Sequence, residues 1–295
     1  MEEAIQKFIK YLHKTRKASV NTEMSYRRDL EKLYRFLNGE LGITAWENVT
    51  ATNLNTYMLY MEEQKYASSS ISRSVASIRS FFHYLDKRNL IPDNPADELK
   101  PPKVEKKLPD ILSVYEVDLL LDQPNRETSK GLRDRAMLEL LYATGIRVSE
   151  LIGLRLNDVN LKMNYISCAE RTKERAVPFG SAAKEALTEY LEKARDTFPM
   201  AEENDILFTN ISGRQMSRQG FWKLLKGYAA EAGIERDITP HTLRHSFAAH
   251  MIENGADLKS VQEMLGHSDI SSTQIYVNVN LGKMRDVYER AHPRS

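Results

Sequence analysis

Two residues near the start of a predicted helix have the types and the spacing to bind a phosphate. His241 and Arg244 are three residues apart, so their side chains project from one face of a helix that Thr239 and Pro240 begin. Backbone N–H groups and the helix dipole favour an anion at that end, and a guanidinium can hold a phosphate through two parallel hydrogen bonds. Because His-x-x-Arg is a common pair in sequences, it predicts a site only together with other segments.

Three further segments carry residues of the same kind. TGIRVSEL places Arg147 just after a predicted helix end, MLGHSD places His267 after another, and STQIY places Tyr276 nine residues later. Together with residues 241–245, these segments resemble the catalytic boxes of the tyrosine recombinases, in the same order, and are most similar to those of the bacterial Xer recombinases. The resemblance covers almost the whole chain. Glu150, inside the first box, is expected to orient its neighbours.

The resemblance implies a role for each of the other side chains. Tyr276 is the expected nucleophile, whose hydroxyl forms a 3′-phosphotyrosyl bond and releases a 5′-hydroxyl, so that the energy of the broken bond is kept for rejoining. Arg147 and Arg244 are expected to neutralise the non-bridging oxygens of the phosphate. His241 would assist proton removal or hydrogen-bond the phosphate, and His267 would donate a hydrogen bond to it. Neither a cofactor nor a metal is implied.

One position departs from the pattern of the family. A lysine is expected eight residues before the proline that here is Pro178, on a strand–turn–strand segment, to protonate the leaving 5′-oxygen, and Glu170 stands at that position. Lys173 and Arg171 lie in the same segment, but arginine hardly deprotonates and is a poor general acid. Lys173 is therefore the predicted leaving-group acid. A slow step, or protonation by water, is the alternative.

Other classes of function fit these residues less well. His241 and His245 have the spacing of zinc ligands in a metalloprotease, but the glutamate of that motif is replaced by Thr242, and no third ligand is assigned. The sequence has no Gly-x-x-x-x-Gly-Lys loop, which argues against a nucleotide-driven motor. Two alternatives stay open within the resemblance: a mobile-element or integron-type integrase, and a DNA-binding module that has lost catalysis.

The first hundred residues predict a helical bundle. Apolar residues recur at three- and four-residue steps in four segments, which is typical of helices that face a core. These residues are Ile5, Phe8, Ile9 and Leu12; Tyr26, Leu30, Leu33 and Leu37, stopped near Gly39; Leu54, Met58 and Met61; and Ile71, Val75, Ile78, Phe82 and Leu85. The opposite face of the fourth segment carries Ser70, Arg73 and Ser77, with Arg79 nearby. This face predicts a contact with DNA, and a solvated helix face is the alternative.

Charge distinguishes the two parts of the chain, although the net charge is only +1. Residues 1–107 contain 18 Lys and Arg against 14 Asp and Glu, or +4, and the remainder contains 24 against 27, or −3. The resemblance makes residues 1–105 a helical core-binding (SAM-like) DNA-binding domain. The segment IPDNPADELKPPKVEKKLPD, with five prolines, resists helix and sheet and predicts a linker at about residues 95–110.

Residues 106–295 predict a mixed catalytic domain. Its expected elements are a capping box at Ser113 and Glu116, a helix over about 131–144 that ends at Gly145, a small sheet between Tyr165 and Phe179, a helix over about 181–195, a short strand at 206–208, and a helix from Thr239 that Gly255 stops. The predicted fold class is thus mainly α with a small β-sheet. The single cysteine, Cys168, excludes an internal disulfide and is expected to be buried.

The tail after Tyr276 places Leu281, Met284, Val287 and Tyr288 on one helix face, which suits docking onto a neighbouring protomer or packing on its own domain. The resemblance implies that the partners are double-stranded DNA and the same or related recombinase protomers, in a tetramer on two DNA sites. It further implies chromosome dimer resolution and leaves open whether a DNA translocase takes part. The sequence contains no apolar run long enough to span a membrane and no secretory signal, so a cytoplasmic location without membrane contact is expected.

Overall fold

The computed structural model describes residues 1–102, 110–169, 174–266 and 288–294, and it divides into two compact units. The front unit spans Met1–Lys107 and the rear unit spans Leu108–Ser295. Within the described residues, the front unit is helical and the rear unit combines helices with a three-stranded sheet. The predicted fold class, mainly α with a small sheet, is confirmed.

The front unit is a bundle of four helices around an apolar core. They are α1 (Glu2–Lys14), α2 (Val20–Leu41), α3 (Ala51–Glu63) and α4 (Ser68–Asp86). Ser19 caps α2 by accepting a hydrogen bond from the Thr22 backbone at 3.1 Å. α2 continues two residues past Gly39, near which its end was predicted, because a glycine inside a helix costs only about 1 kcal/mol. The helix ends instead before Gly42, whose φ of 64° is left-handed.

The predicted polar face of α4 is narrower than the sequence suggested. Arg73 and Arg79 are exposed as expected, but Ser77 is fully buried. Its hydroxyl donates to the Ser74 carbonyl at 2.8 Å, which satisfies the polar group within the helix. A serine can therefore lie on the core face, and the expectation that Ser77 faces DNA is wrong.

The rear unit is built around one buried helix. Its helices are α5 (Val114–Leu121), α6 (Ser129–Thr144), α7 (Val148–Leu151), α8 (Ser181–Lys193), α9 (Arg218–Glu231), α10 (Pro240–Glu253) and α11 (Leu258–Leu265). Every residue from 131 to 144 on α6 is buried. The predicted capping box of Ser113 with Glu116 is present at the start of α5, and Thr239 caps α10 with Pro240 at its first position. Glu253 ends α10, two residues before the predicted stop at Gly255.

The sheet consists of β1 (Val159–Asn160), β2 (Tyr165–Ala169) and β3 (Glu174–Pro178), in that order and antiparallel. Cys168 is buried in β2, as predicted. The predicted strand at residues 206–208 is wrong, since the pairing is a single bridge between Ile206 and Arg155. The chain turns into a 3-10 helix at Leu156–Asp158, so the pairing cannot continue.

Gly145 ends α6, as predicted, and only glycine suits that position. Its φ of 60° is left-handed, and a Cβ there would lie 2.3 Å from the Phe247 ring. The chain therefore reverses tightly against α10 and delivers Arg147 two residues later.

The described part of the tail, residues 288–294, packs on the rear unit itself. Tyr288 and Ala291 join its core, and Arg294 donates to Asp118 at 2.7 Å and to Glu139 at 3.2 Å. Leu281, Met284 and Val287, on which the docking prediction also rests, lie outside the described residues. No helix in the described part of the chain is long and apolar enough to cross a membrane.

Candidate active site

Three of the six predicted catalytic residues line one open pocket of about 290 Å³ in the rear unit. Arg147 is the N-cap of α7, His241 lies in the first turn of α10, and Arg244 follows one turn later. The other three, Lys173, His267 and Tyr276, lie outside the described residues. The fold thus brings together side chains that are almost one hundred positions apart in the sequence.

Arg244 is held in place by the ends of two helices. Its guanidinium is buried and donates to the Gly145 carbonyl at 2.6 Å and to the Leu265 carbonyl at 2.7 Å. Both carbonyls lie at helix C-termini, where they have no partner further along the helix and carry the negative end of the helix dipole. The fold itself therefore fixes the position of the guanidinium.

Arg147 also binds a carbonyl at the C-terminal end of α11. Its Nη2 donates to the Gly266 carbonyl at 2.9 Å, next to the Leu265 carbonyl that binds Arg244. Its side chain is 40% exposed, so one side faces the pocket opening. A third arginine, Arg175 on β3, donates through Nε to the Met264 carbonyl at 3.2 Å. Three successive carbonyls at the end of α11 thus receive three arginines from three different elements.

Glu150 connects two of these arginines. Its carboxylate accepts from the Arg147 backbone N–H at 2.6 Å and from Arg147 Nη1 at 3.2 Å. It also accepts from Arg175 at 2.8 and 3.0 Å. Burial raises the pKa of Glu150, but the hydrogen bonds from Arg175 and from the Arg147 backbone outweigh it and hold the pKa below its ordinary value. Glu150 is therefore charged at neutral pH and contacts Arg147, as an orienting residue requires.

The start of α10 carries the predicted histidines. Thr239 and Thr242 cap it reciprocally, with the Thr242 backbone donating to the Thr239 hydroxyl at 3.3 Å. His241 and His245 are exposed one turn apart, with ring centroids 6.4 Å from each other. His241 lines the pocket beside Arg244, so the first turn of α10 supplies both a ring nitrogen and a guanidinium to it.

α9 contributes residues to the pocket that were not predicted from the sequence. Arg218, Gln219 and Trp222 line it from the first two turns of that helix, which Ser217 caps. Trp222 is 41% exposed and lies under the Lys226 ammonium, 4.3 Å from the ring centre. A capped helix start with an arginine, the same signal as at His241 and Arg244, was present in the sequence. Arg175 was also missed, because nothing local in a strand indicates a partner at Glu150.

In the front unit, the two predicted DNA-binding arginines differ. Arg73 donates twice to the buried Asp29, at 2.9 Å each, so its guanidinium joins α4 to α2. Its side chain is still 48% exposed. Arg79 lies exposed on α4. Contact of either residue with DNA stays a prediction.

Two arginines that are fixed by helix-end carbonyls and one neighbouring histidine thus converge on one pocket, an arrangement whose charge and donors suit an oxyanion. The models of two families match the chain: "Phage integrase family" over residues 111–282, and "Phage integrase, N-terminal SAM-like domain" over residues 5–89. The chain belongs to the phage integrase family, and it is a tyrosine recombinase, as the resemblance predicted.

Relatives and solved structures agree with this assignment. The chain is 45% identical to tyrosine recombinase XerD of Oceanobacillus iheyensis over 297 residues, which covers 100% of both chains. It is 45% identical to tyrosine recombinase XerC of Herpetosiphon aurantiacus over 282 residues, which covers 95% of this chain and 92% of that relative. The crystal structure of the XerH site-specific recombinase bound to its difH substrate has the same fold, with a TM-score of 0.67 at 23% identity, and the match covers 97% of this chain and 82% of that one.

Proposed function

We propose that the chain is a site-specific recombinase of the Xer type, which cuts and rejoins double-stranded DNA through Tyr276 and resolves chromosome dimers. The observation that supports it most is the convergence of Arg147, His241 and Arg244 on one pocket. The full-length similarity to proteins named XerD and XerC gives the type.

The first step is attack by a tyrosine that is ordinarily protonated. An unperturbed tyrosine has a pKa near 10, so about one in a thousand is ionised at pH 7, a handicap of roughly 4 kcal/mol. Two fixed guanidinium groups offset it by stabilising charge on the non-bridging oxygens as phosphorus becomes five-coordinate. Since Arg147 and Arg244 are already held by the Gly266, Gly145 and Leu265 carbonyls, little reorganisation is needed during the reaction.

The step balances without a cofactor. The Tyr276 oxygen bonds to phosphorus, the bond from phosphorus to the 5′-oxygen breaks, and that oxygen takes a proton; rejoining is the reverse. In this proposal the proton that Tyr276 loses goes to His241, or to solvent if His241 instead hydrogen-bonds the phosphate, and His267 donates to a non-bridging oxygen. Lys173 supplies the proton for the leaving oxygen, because Glu170 stands where the family has its lysine.

DNA binding and assembly complete the proposal. The front unit binds the duplex through the face of α4 that carries Arg73 and Arg79, and its excess of basic residues suits a phosphate backbone. Recombination of two sites needs four cuts, so four identical or related protomers assemble, with the tail around Leu281 docking onto a neighbour. The protein works in the cytoplasm, and a translocase is a candidate activator. A mobile-element integrase, which shares this chemistry, is the alternative.

Trapping the covalent intermediate tests the proposal. A duplex is first selected by binding from a random-sequence pool, then nicked beside the cut so that the released fragment diffuses away. The wild-type chain should form an adduct that survives denaturation. Tyr276→Phe should form none, and Tyr115→Phe, which changes a tyrosine that is 71% exposed, should react as wild type. Absence of an adduct from the wild-type chain would contradict the proposal.

A further inference from the structure

Arg175 does not line the pocket, but it contacts Glu150 and the end of α11, which both bind Arg147. It lies on β3 with its side chain only 14% exposed, and it is not among the residues that line the pocket. Its guanidinium faces the Glu150 carboxylate, and its Nε binds the Met264 carbonyl. Within the described part of the chain, Arg175 is thus connected to the pocket through Glu150 and the end of α11.

The distances show how the Glu150 carboxylate is shared. Arg175 approaches it with two parallel hydrogen bonds, Nη1 to Oε1 at 2.8 Å and Nη2 to Oε2 at 3.0 Å. The Arg147 side chain contacts it once through Nη1, at 3.2 Å. Since a bidentate guanidinium–carboxylate pair is the stronger arrangement, most of the negative charge is balanced by Arg175.

We propose that Arg175 is a positioning residue that occupies Glu150 and so keeps the positive charge of Arg147 available to the DNA phosphate. Without Arg175, the ionised Glu150 would face Arg147 alone, and Arg147 would close onto it in the bidentate geometry. The phosphate would then compete with an internal carboxylate for the same guanidinium. This inference rests on the proposed function, in which Arg147 binds the phosphate that is cut.

A purely structural role makes a different prediction. Arg175 also binds Met264, the first of the three successive carbonyls at the end of α11. If its only role were to hold that helix end, removing the Glu150 charge could not repair its loss. In the proposed role, neutral Glu150 no longer captures Arg147, so the second substitution should restore part of the rate.

The first experiment measures adduct formation in a single turnover on the nicked duplex. Arg175→Gln should react about 10- to 100-fold more slowly than wild type, which is part of the loss expected when a charge-stabilising donor is displaced. The double variant E150Q/R175Q should react several-fold faster than R175Q, and Arg175→Lys should fall between R175Q and wild type. Arg155→Gln, which removes an exposed arginine from its pair with Asp205, is the matched control and should react as wild type. Thermal unfolding of each variant shows that the compared proteins are folded.

A second measurement needs no reaction. The chain has two tryptophans, so in a Trp46→Phe background Trp222, which lines the pocket, reports occupancy by inorganic phosphate through its fluorescence. R175Q should weaken phosphate binding and E150Q/R175Q should recover it. Equal phosphate affinity in R175Q and the parent, or a double variant as slow as R175Q, would overturn the role of Arg175. If the wild-type chain forms no adduct, the proposed function is wrong, whereas the phosphate titration still decides the inference.

Discussion

Replacing Arg244 with lysine separates the geometry of the phosphate site from its charge. The arginine is 7% exposed and spans two carbonyls, Gly145 at 2.6 Å and Leu265 at 2.7 Å. A lysine keeps the charge, but its single ammonium group cannot reproduce the planar fork that reaches both. Arg244→Lys should therefore leave one helix-end carbonyl without a partner and the positive charge displaced from the phosphate.

Arg244→Lys should lower both the stability of the protein and the rate of the reaction. A buried carbonyl that loses its hydrogen bond costs about 1–3 kcal/mol of the free energy of unfolding. Domains of this size are stable by about 5–15 kcal/mol, so the variant should remain folded. Displacing a donor that stabilises developing charge costs about 100- to 1,000-fold in rate, or about 2.7–4 kcal/mol.

The assay compares urea unfolding with single-turnover adduct formation. Arg195→Lys is the matched control, because Arg195 is 2% exposed and also binds carbonyls, at Ile206 and Asn204, but does not line the pocket. Both variants should lose stability, and only Arg244→Lys should lose rate. Reaction of Arg244→Lys within threefold of wild type would refute the argument that the helix ends preorganise this arginine.

Further predictions concern the fold around the site. Burial lowers the pKa of His292 to about 3 from an ordinary 6.5, so the folded state excludes a proton that the unfolded state binds below pH 6.5. Stability should therefore fall with pH below 6.5, by about 2 kcal/mol at pH 5. Urea unfolding at pH 7 and pH 5 measures this loss of unfolding free energy. The loss should be smaller in His292→Gln than in the wild type, and unchanged in the exposed control His83→Asn. An equal loss in the wild type and both variants would contradict the role of His292. Gly145→Ala combines a left-handed φ with a contact 2.3 Å from Phe247, and should cost about 1–3 kcal/mol or more in urea unfolding. Gly227→Ala, where the added methyl meets nothing within 4 Å, should not destabilise, and equal stability of the two would refute the constraint at Gly145.

Local patterns in the sequence predicted the positions of the helices well, but predicted their ends and the burial of their polar residues less well. The apolar helix faces of the front unit and the capping box of α5 each depend on residues three or four positions apart, so local spacing was sufficient to predict them. The end of α2 depends on which of two nearby glycines adopts a left-handed φ, and Gly42 does so. The burial of Ser77 depends on a hydrogen bond within its own helix, which residue type does not reveal.

The candidate site, too, could be predicted from the sequence only in part. The spacing of His241 and Arg244 predicted an anion site, and the resemblance added Arg147, which the structure places in the same pocket. The carbonyls that hold both arginines carry no sequence signal, since every residue has a carbonyl. Arg175 meets Glu150 because β3 packs beside α7 and α11, a contact that only the fold creates.

The most direct test of the central claim is to identify the residue that bonds to DNA. The wild-type chain is trapped on the nicked duplex, digested with protease and nuclease, and the modified peptide is sequenced by mass spectrometry. A 3′-phosphonucleotide on Tyr276, formed far more slowly by Arg244→Lys, is the predicted result. An adduct on any other residue would contradict the account.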